Sequence, residues 1–389
     1  MTRGNASLRF GGFARRAGLA LAAAALAWQH GCSSQPSSIA PLAWEKVAGP
    51  GPNGSVLGLD SPGTFDEVGN FTISAFKDGA TYRLYYGGAD VGDCPGINNS
   101  HWRIGLATSD DGLHWTRVKG SKTGGSIVDN GTTFDSYLTY RPFVLKDGSL
   151  YRMWYNGSTK PFNDCHAPAG QSPLANDRRI GYAESPDGLN WTKKNDGPGE
   201  GGSVLALGPT GSFDAQQVGY VWVIKDTNDY KMYYSANDAT NTWRVALAIS
   251  TDGRTWTKKP GKLSRTPAVL DLGSAGQFDA ACAYQPSVVK ESDTLYRMWY
   301  RGCEAPSPLG GPSGGTIGYA ESNDGITWIK MNGGGPNGAA VGKGVAPQFD
   351  SGGLTTPSVF LDGDLWKMYY AGFDTKGQFL TGLAQASRR

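Results

Sequence analysis

Aromatic and polar residues alternate in five short segments spread along the chain. The segments are YRLYYGG at 82–88, YRMWYNG at 151–157, YKMYYSA at 230–236, YRMWYRG at 296–302 and WKMYYAG at 366–372. Because successive side chains of a β-strand point to opposite faces of a sheet, this alternation of β-forming residues predicts five strands. A Phe-Asp pair stands ahead of every segment: Phe65-Asp66, Phe134-Asp135, Phe213-Asp214, Phe278-Asp279 and Phe349-Asp350.

Most of these segments are followed by a further strand and a turn motif. The strand is IGYAES at 180–185 and again at 317–322, and the pattern S-x-D-G-x-x-W follows at 109–115, 185–191, 250–256 and 322–328. Asp-Gly favours a hairpin turn, after which Trp begins a fourth strand. The chain thus holds five copies of one unit, 65 to 79 residues apart, each predicted to form a four-stranded antiparallel sheet. This pattern predicts an all-β protein, a five-bladed β-propeller.

The two ends of the chain complement each other. The fifth copy ends after its third strand, at 382–387, and lacks the turn and the fourth strand. The missing piece stands near the N-terminus, where WEK at 44–46 and GPGPNG at 49–54 match WIK at 328–330 and GGGPNG at 333–338. We therefore expect the N-terminal strand to complete the last blade, which would leave no open sheet edge. On this interpretation residues 42–389 form one domain.

The first 32 residues have the pattern of a signal peptide. Arg15 and Arg16 precede an apolar run at 17–28, too short to span a bilayer as a mature helix. Cys32 and the Ser/Pro-rich linker at 33–41 favour a lipoprotein site, with cleavage after Ala27 and free secretion as the alternative. Either interpretation predicts export, to the periplasm, the cell surface or the medium. Membrane contact is expected only through a lipid on Cys32.

Composition and charge narrow the classes of function. The chain has 57 Gly, 22 Pro and 18 Tyr, typical of turns and strands, and its net charge of +2 argues against nucleic acid as a partner. Phosphate-binding, dinucleotide, zincin and α/β-hydrolase motifs are absent, so no cofactor is predicted, although a five-fold ring offers a central site for structural calcium. A monomer is expected. Apart from Cys32, four cysteines allow three disulfide pairings, of which Cys94–Cys165 and Cys282–Cys303 are favoured because they join comparable or adjacent segments.

Side chains that break the repeat are the candidates for function, since five equal residues cannot all perform one asymmetric reaction. One place after the Phe-Asp aspartate only the first unit carries an acid, Glu67, and six places after it only the second carries a charge, Arg141. The repeated aspartates are expected mainly to pack, with Asp66 kept as an alternative catalytic acid. Further candidates come from the loops and inner strands at the predicted mouth of the central channel. Glu304 is a candidate catalytic acid, and the candidate binding residues are Asp93, Trp102, Asp135, Asp164, His166, Asp214 and Gln285.

Carboxylates, an arginine and aromatic rings at one opening fit sugar chemistry. One acid protonates the leaving oxygen, a second activates water or attacks, and flat rings stack on sugar faces. The aromatic strands, the Gly-Tyr-Ala-x-Ser strand and the Asp-Gly turns resemble the five-bladed propellers of the arabinanase, levansucrase and invertase superfamily, which includes glycoside hydrolase families 43, 32 and 130. The resemblance implies a divergent glycosidase. Thr72 stands where family 43 has its catalytic aspartate, and Arg141 precedes Pro142 in the second unit.

Three functions remain as hypotheses. The first is an exported glycoside hydrolase that acts on a polysaccharide or oligosaccharide, with Asp66 or Glu67 and Glu304 as its carboxylate pair and Arg141 on a substrate hydroxyl. The second is a non-catalytic lipoprotein that binds glycan at the channel mouth. The third is an interaction scaffold that uses the rim of the first two units.

Overall fold

The computed structural model describes residues 41–92, 100–161, 177–263, 266–304 and 314–388. Within them the protein is all-β and built of four-stranded antiparallel arrangements, as the repeats predicted. Short 3₁₀ turns lie at Pro52–Gly54, Thr123–Gly125, Glu200–Gly202 and Pro336–Gly338. No helix in these residues is long and apolar enough to cross a membrane.

The strands follow the repeat. The first unit contains β2 (Gly69–Asp78), β3 (Thr81–Ala89), β4 (Trp102–Ser109) and β5 (Thr116–Val118); the second contains β6 (Leu138–Asp147), β7 (Leu150–Ser158), β8 (Arg179–Ser185) and β9 (Thr192–Lys193). The third contains β10 (Gln217–Lys225), β11 (Tyr230–Asn237), β12 (Trp243–Ser250) and β13 (Thr257–Lys259). The fourth contains β14 (Cys282–Ser292), β15 (Leu295–Cys303), β16 (Thr316–Ser322) and β17 (Ile329–Met331). The fifth contains β18 (Gly353–Asp362), β19 (Leu365–Phe373) and β20 (Phe379–Ser387).

The fifth sheet takes its remaining strand from the start of the described chain. β1 (Glu45–Val47) pairs antiparallel with β20, so that this sheet has the order β1-β20-β19-β18. The first and second units join into one eight-stranded sheet through a single parallel bridge between Trp102 and Leu138. The pairing of β1 with β20 corresponds to the sequence match between the segments at 44–46 and 328–330.

The inner strands of the five units contact one another in sequence. β2 contacts β6, β6 contacts β10, β10 contacts β14, β14 contacts β18, and β18 contacts β2. Serine side chains link three of these neighbours by accepting a backbone N–H from the next inner strand. The bonds run from Val144 to Ser74 at 3.0 Å, from Val359 to Ser287 at 2.9 Å and from Ala75 to Ser358 at 2.9 Å.

The S-x-D-G-x-x-W turns join neighbouring units. In the second unit, Asp187 accepts the backbone N–H groups of Leu189 and Asn190 at 2.8 Å, and Gly188 takes a φ of 74°, which glycine adopts without a Cβ penalty. The Gly188 carbonyl then accepts the hydroxyl of Tyr85 from the first unit at 2.9 Å. Tyr233 makes the same bond to Gly325, at 2.8 Å. The turn motif therefore stabilises the packing between units as well as the hairpin itself.

Candidate functional site

The inner strands all carry an irregularity at the same place. Six residues after each Phe-Asp aspartate the register between the first and second strands of the unit shifts, which is the signature of a β-bulge. In the second to fifth units the residue at this position has a positive φ: Arg141 (56°), Tyr220 (51°), Gln285 (55°) and Thr356 (46°). Such a backbone is unfavourable for residues with a Cβ and collects at functional sites.

Neighbouring units hold these strained residues in place. The backbone N–H of Tyr220 donates to Oδ1 of Asn156 at 2.9 Å, and that of Gln285 donates to Oγ of Ser235 at 2.9 Å. The N–H of Thr356 donates to Oε1 of Gln285, also at 2.9 Å. Because the bond comes from the preceding unit each time, the conformation depends on the packing of the units and not on local sequence.

The bulges surround one pocket, which we call the axial pocket. Its lining comes from all five inner strands, through Ile73, Arg141-Pro142-Phe143, Tyr220-Val221-Trp222, Gln285-Pro286 and Thr356-Pro357. Arg141 is the charged residue of this lining. Its guanidinium carbon lies 3.5 Å from the centre of the Tyr220 ring and 5.3 Å from that of Tyr140. Its Nε and one terminal nitrogen are buried and have no hydrogen-bond partner in the structure.

Two further arginines stand around Tyr220, and with Arg141 we call them the arginine cluster. Arg178 lies 5.6 Å from the Tyr220 ring centre and 5.4 Å from that of Trp243. Arg301 donates to the hydroxyl of Tyr284 at 2.9 Å and to the carbonyl of Gly314 at 2.6 Å. The cluster therefore draws its positive charge from two units of the fold, the second and the fourth.

The cluster changes the acidity of the tyrosine at its centre. Burial by itself raises the pKa of a phenol, but Arg141, Arg178 and Arg301 outweigh burial at Tyr220 and lower its pKa below the ordinary value of 10.0. Burial also lowers the pKa of Arg141, with Arg178 acting in the same direction. Apart from burial, the groups that act most strongly on Arg141 are tyrosines and an arginine, and no ion pair joins Arg141 to a carboxylate among the described residues.

Arg178 and Arg301 also break the repeat. Comparing matched positions in the second and third strands of the units would have revealed them. Aligned through their pairing partners, the second strands place Gly87, Asn156, Ser235, Arg301 and Ala371 at one position. The start of the third strand likewise places Trp102, Arg178, Trp243, Gly315 and Phe379 together. Each arginine is the only charge in its row. A Cβ at Gly315 would lie 2.8 Å from Nε of Arg301, so this glycine leaves room for the cluster.

The predicted aspartates of the Phe-Asp pairs lie inside the units. Asp66 is fully buried and accepts Arg117 Nε at 2.8 Å and the Tyr86 hydroxyl at 3.0 Å, and burial raises its pKa although Arg117 and Tyr86 act against it. The other four follow the same plan, each with a lysine at 2.6 Å. The pairs are Asp135–Lys193, Asp214–Lys258, Asp279–Lys330 and Asp350–Lys46. This geometry favours a structural role for Asp66, Asp135 and Asp214, because each is buried and paired with a cation.

Glu67 is partly exposed and lies away from the bulges. Its two carboxylate oxygens accept the backbone N–H groups of Gly63 at 2.7 Å and Val91 at 3.0 Å. The depression beside it is also lined by His101 and Arg103. Glu67 is not among the residues that line the axial pocket.

Glu304 is exposed and follows the disulfide Cys282–Cys303, whose pairing was predicted and is present in the structure with a Cα–Cα distance of 5.1 Å. The cysteines pack with Tyr220, Trp243 and Tyr284, so the disulfide adjoins the arginine cluster. One carboxylate oxygen of Glu304 accepts Asn337 Nδ2 at 2.7 Å. No contact joins Glu67 and Glu304 within the described residues.

The remaining candidates differ in their environment. Trp102 is buried, with its ring centre 3.9 Å from that of Phe71 and 4.9 Å from that of Tyr140, so it packs in a hydrophobic cluster. Gln285 lines the pocket and links two units through Thr356. Asp93, Asp164, His166 and the pairing Cys94–Cys165 lie outside the described residues. Across the described ranges no group of three metal-ligating side chains comes together.

Comparison with known proteins gives two kinds of relative. No family model matches the chain. It is 30% identical over 229 residues to the uncharacterized protein Rv1502 of Mycobacterium tuberculosis, covering 59% of this chain and 67% of that protein. Its fold is similar to that of a solved glycoside hydrolase, with a TM-score of 0.62 at 15% identity over 85% of this chain and 91% of the other.

Two further solved structures are similar in fold. One comes from work on glycoside hydrolase family 130, which contains mannoside phosphorylases and hydrolases that target β-1,2-mannosidic linkages in Candida mannan. It has a TM-score of 0.60 at 18% identity over 89% of this chain and 94% of the other. The other is the β-1,2-mannobiose phosphorylase of Listeria innocua, with a TM-score of 0.59 at 13% identity over 82% and 90%. At these identities the likeness concerns the fold, which is the propeller fold of glycan-active enzymes.

Proposed function

Because this chain belongs to the same family as Rv1502 of Mycobacterium tuberculosis and has the fold of glycoside hydrolases and mannoside phosphorylases, we propose that it is an exported glycoside hydrolase. The observation that carries the proposal is the axial pocket, which all five inner strands line, four of them with a strained residue, and in which Arg141 is the charged group. Strain that neighbouring units maintain at a single pocket is typical of a site selected for binding or catalysis.

The proposal assumes a five-bladed propeller closed into a ring. Two features support this arrangement. The inner strands contact one another in order, with β18 returning to β2, and Ser358 of the last unit accepts the N–H of Ala75 in the first. β1 adds the remaining strand to the fifth sheet. Export is proposed from the segment at 1–32 alone.

For the acid and base we propose Glu67 and Glu304. Both are accessible to solvent, unlike Asp66, whose carboxylate is buried and held by Arg117. In this reaction one carboxyl group protonates the glycosidic oxygen as the bond breaks, and the other activates water or forms the covalent intermediate. Proton transfer by a carboxyl group of this kind contributes about 10²- to 10⁴-fold to the rate. Arg141 binds the sugar at the axial pocket.

The test is release of reducing sugar from a panel of polysaccharides and oligosaccharides, with sugar phosphate assayed in parallel in phosphate buffer. We expect hydrolysis of at least one glycan, and a loss of about 100-fold or more in kcat for Glu67→Gln and for Glu304→Gln. Glu45→Gln, in exposed β1, is the matched control and is expected to retain full activity. Full activity of both variants would show that the carboxylate pair is wrong.

A second candidate is a non-catalytic glycan-binding protein. It is favoured by one observation: in the part of the chain that the structure describes, no carboxylate lines the axial pocket. This function predicts that the protein is retained on a glycan array while it releases neither sugar nor sugar phosphate from the same glycan.

A further inference from the structure

We propose that the axial pocket selects anionic glycans, with Arg141 binding a negatively charged oxygen group carried by the sugar. The charged group is a carboxylate or a sulfate ester, which share the chemistry that a guanidinium recognises. This inference rests on the proposed function, because it assumes that the ligand of the pocket is a glycan. It adds the substrate class, which the fold and the relatives leave open.

Among the residues that the structure describes, no carboxylate forms an ion pair with Arg141. Two of its nitrogens are buried without a hydrogen-bond acceptor, and its guanidinium lies against the rings of Tyr220 and Tyr140. Arginines that serve only the fold are paired in this protein. Arg117 binds Asp66 at 2.8 Å, and Arg103 binds Asp129 at 2.6 Å. Burial of an uncompensated guanidinium is costly, so its retention at the pocket points to a ligand that supplies the charge.

The electrostatic potential around the pocket is positive. Arg178 and Arg301 stand on other strands, yet both act on Tyr220, whose ring also contacts Arg141. Arg301 donates to protein oxygens, so its contribution is the positive potential rather than a free donor. Arg178 acts on Arg141 as a like charge, so the two arginines of the second unit repel each other. An anion beside Arg141 relieves this repulsion, whereas a neutral sugar does not.

The backbone conformation of Arg141 directs its side chain toward the pocket. Arg141 adopts a φ of 56° at a β-bulge, a device that re-aims a side chain out of its normal strand direction. The next residue is Pro142, and both line the axial pocket. Tyr220, Gln285 and Thr356 share this backbone, so the bulge directs one residue of each of these units toward the pocket. In the second unit that residue is a cation.

The anion is expected to belong to the sugar and not to be free in solution. The axial pocket is lined by all five inner strands and has a volume of only about 30 Å³, so it admits the charged substituent of a sugar rather than a whole ring. An acidic sugar places its charged group beside Arg141 while its ring stays at the mouth of the pocket. Free inorganic phosphate would pair with Arg141 but would make none of the contacts of the sugar ring.

The experiment compares ligands that differ in charge alone. Uronic-acid oligosaccharides are titrated against their carboxyl-reduced forms, sulfated oligosaccharides against desulfated forms, and inorganic phosphate is titrated alone, by isothermal calorimetry on the full protein. We expect one acidic series to bind about 10- to 100-fold more tightly than its neutral counterpart, the range of a charge-assisted hydrogen bond. The series that binds identifies the charged group as carboxylate or sulfate.

Variants show whether Arg141 is the residue responsible. Arg141→Met is expected to remove the preference for the acidic form, and Arg141→Lys is expected to retain part of it. Arg254→Met is the control, because Arg254 is an exposed arginine paired with Asp196. Circular dichroism and the melting temperature of each variant establish that it is folded.

The outcomes separate this inference from the proposed function. Equal binding or cleavage of acidic and neutral glycans would overturn the inference and leave the proposed function standing. Binding of inorganic phosphate without any preference among glycans would also overturn it. Absence of binding to every glycan would overturn both. An acidic preference that survives in Arg141→Met would refute the role of Arg141.

Discussion

Replacing Arg141 with methionine is expected to stabilise the free protein. Arg141 has two buried nitrogens without acceptors and a neighbouring positive charge in Arg178. Methionine has nearly the same length and no charge, so the change removes the cost of burying the guanidinium. The unfavourable φ of 56° is unaffected, since both residues carry a Cβ.

The size of the effect follows from opposing contributions. Each unsatisfied buried donor costs about 1–3 kcal/mol, and a buried charge costs several kcal/mol. The cation–π contact with Tyr220, 3.5 Å from the guanidinium to the ring centre, returns about 2 kcal/mol. We therefore expect a net stabilisation of at least about 1–2 kcal/mol, which would raise the melting temperature of a domain of this size by at least about 1–3 °C.

The assay is thermal and urea unfolding of three variants without ligand. Arg301→Met serves as the comparison within the cluster. It breaks the bonds to Tyr284 and Gly314 and should destabilise the fold by about 2–3 kcal/mol. Arg254→Met, at an exposed ion pair, should change stability by less than about 1 kcal/mol. If Arg141→Met lowers the melting temperature as much as Arg301→Met does, Arg141 is a structural residue and the reasoning fails.

Three other results are expected. Tyr220 should ionise below pH 10.0, which is detected as tyrosinate absorbance, and Arg141→Met should raise the pH of this ionisation. Because the pKa of Tyr220 is lowered in the folded state, its ionisation stabilises the fold fully above pH 10.0, and this contribution is lost as the pH falls through the lowered pKa. Asp135→Asn should cost about 3–5 kcal/mol in urea unfolding, because it leaves the Lys193 ammonium unpaired, whereas Asp110→Asn on the surface should not. Cys303→Ser should lower the free energy of unfolding by about 3 kcal/mol, as expected for opening a loop of 21 residues. An unchanged melting curve would contradict a structural role for the disulfide.

The repeat predicted a large part of the fold because its information is local. Alternation along 151–157 makes a strand regardless of context, and Asp187-Gly188 makes a turn through its own hydrogen bonds. The antiparallel four-stranded arrangement, the fold implied by the superfamily resemblance and the Cys282–Cys303 disulfide were all confirmed. The rule that breaks in the repeat mark function singled out Arg141, which lies in the axial pocket.

The same rule did not reveal what surrounds Arg141. Arg178 and Arg301 also break the repeat, but they come from the third strand of one unit and the second strand of another. Their proximity to Tyr220 depends on how three units pack. The roles of Glu67 and Glu304 stay predictions, and the structure places the two residues in separate surroundings.

Strand identity, turn chemistry and the number of repeats were readable in the chain because period-two alternation and turn residues act over a few neighbouring positions. The direction of the bulge side chains and the burial of the Phe-Asp aspartates required the folded molecule. In both cases the deciding contacts join residues far apart in the chain, such as the N–H of Tyr220 with Asn156 and the carboxylate of Asp350 with Lys46. Hydrogen bonds between packed units, rather than local propensity, therefore determine the chemistry of the axial pocket.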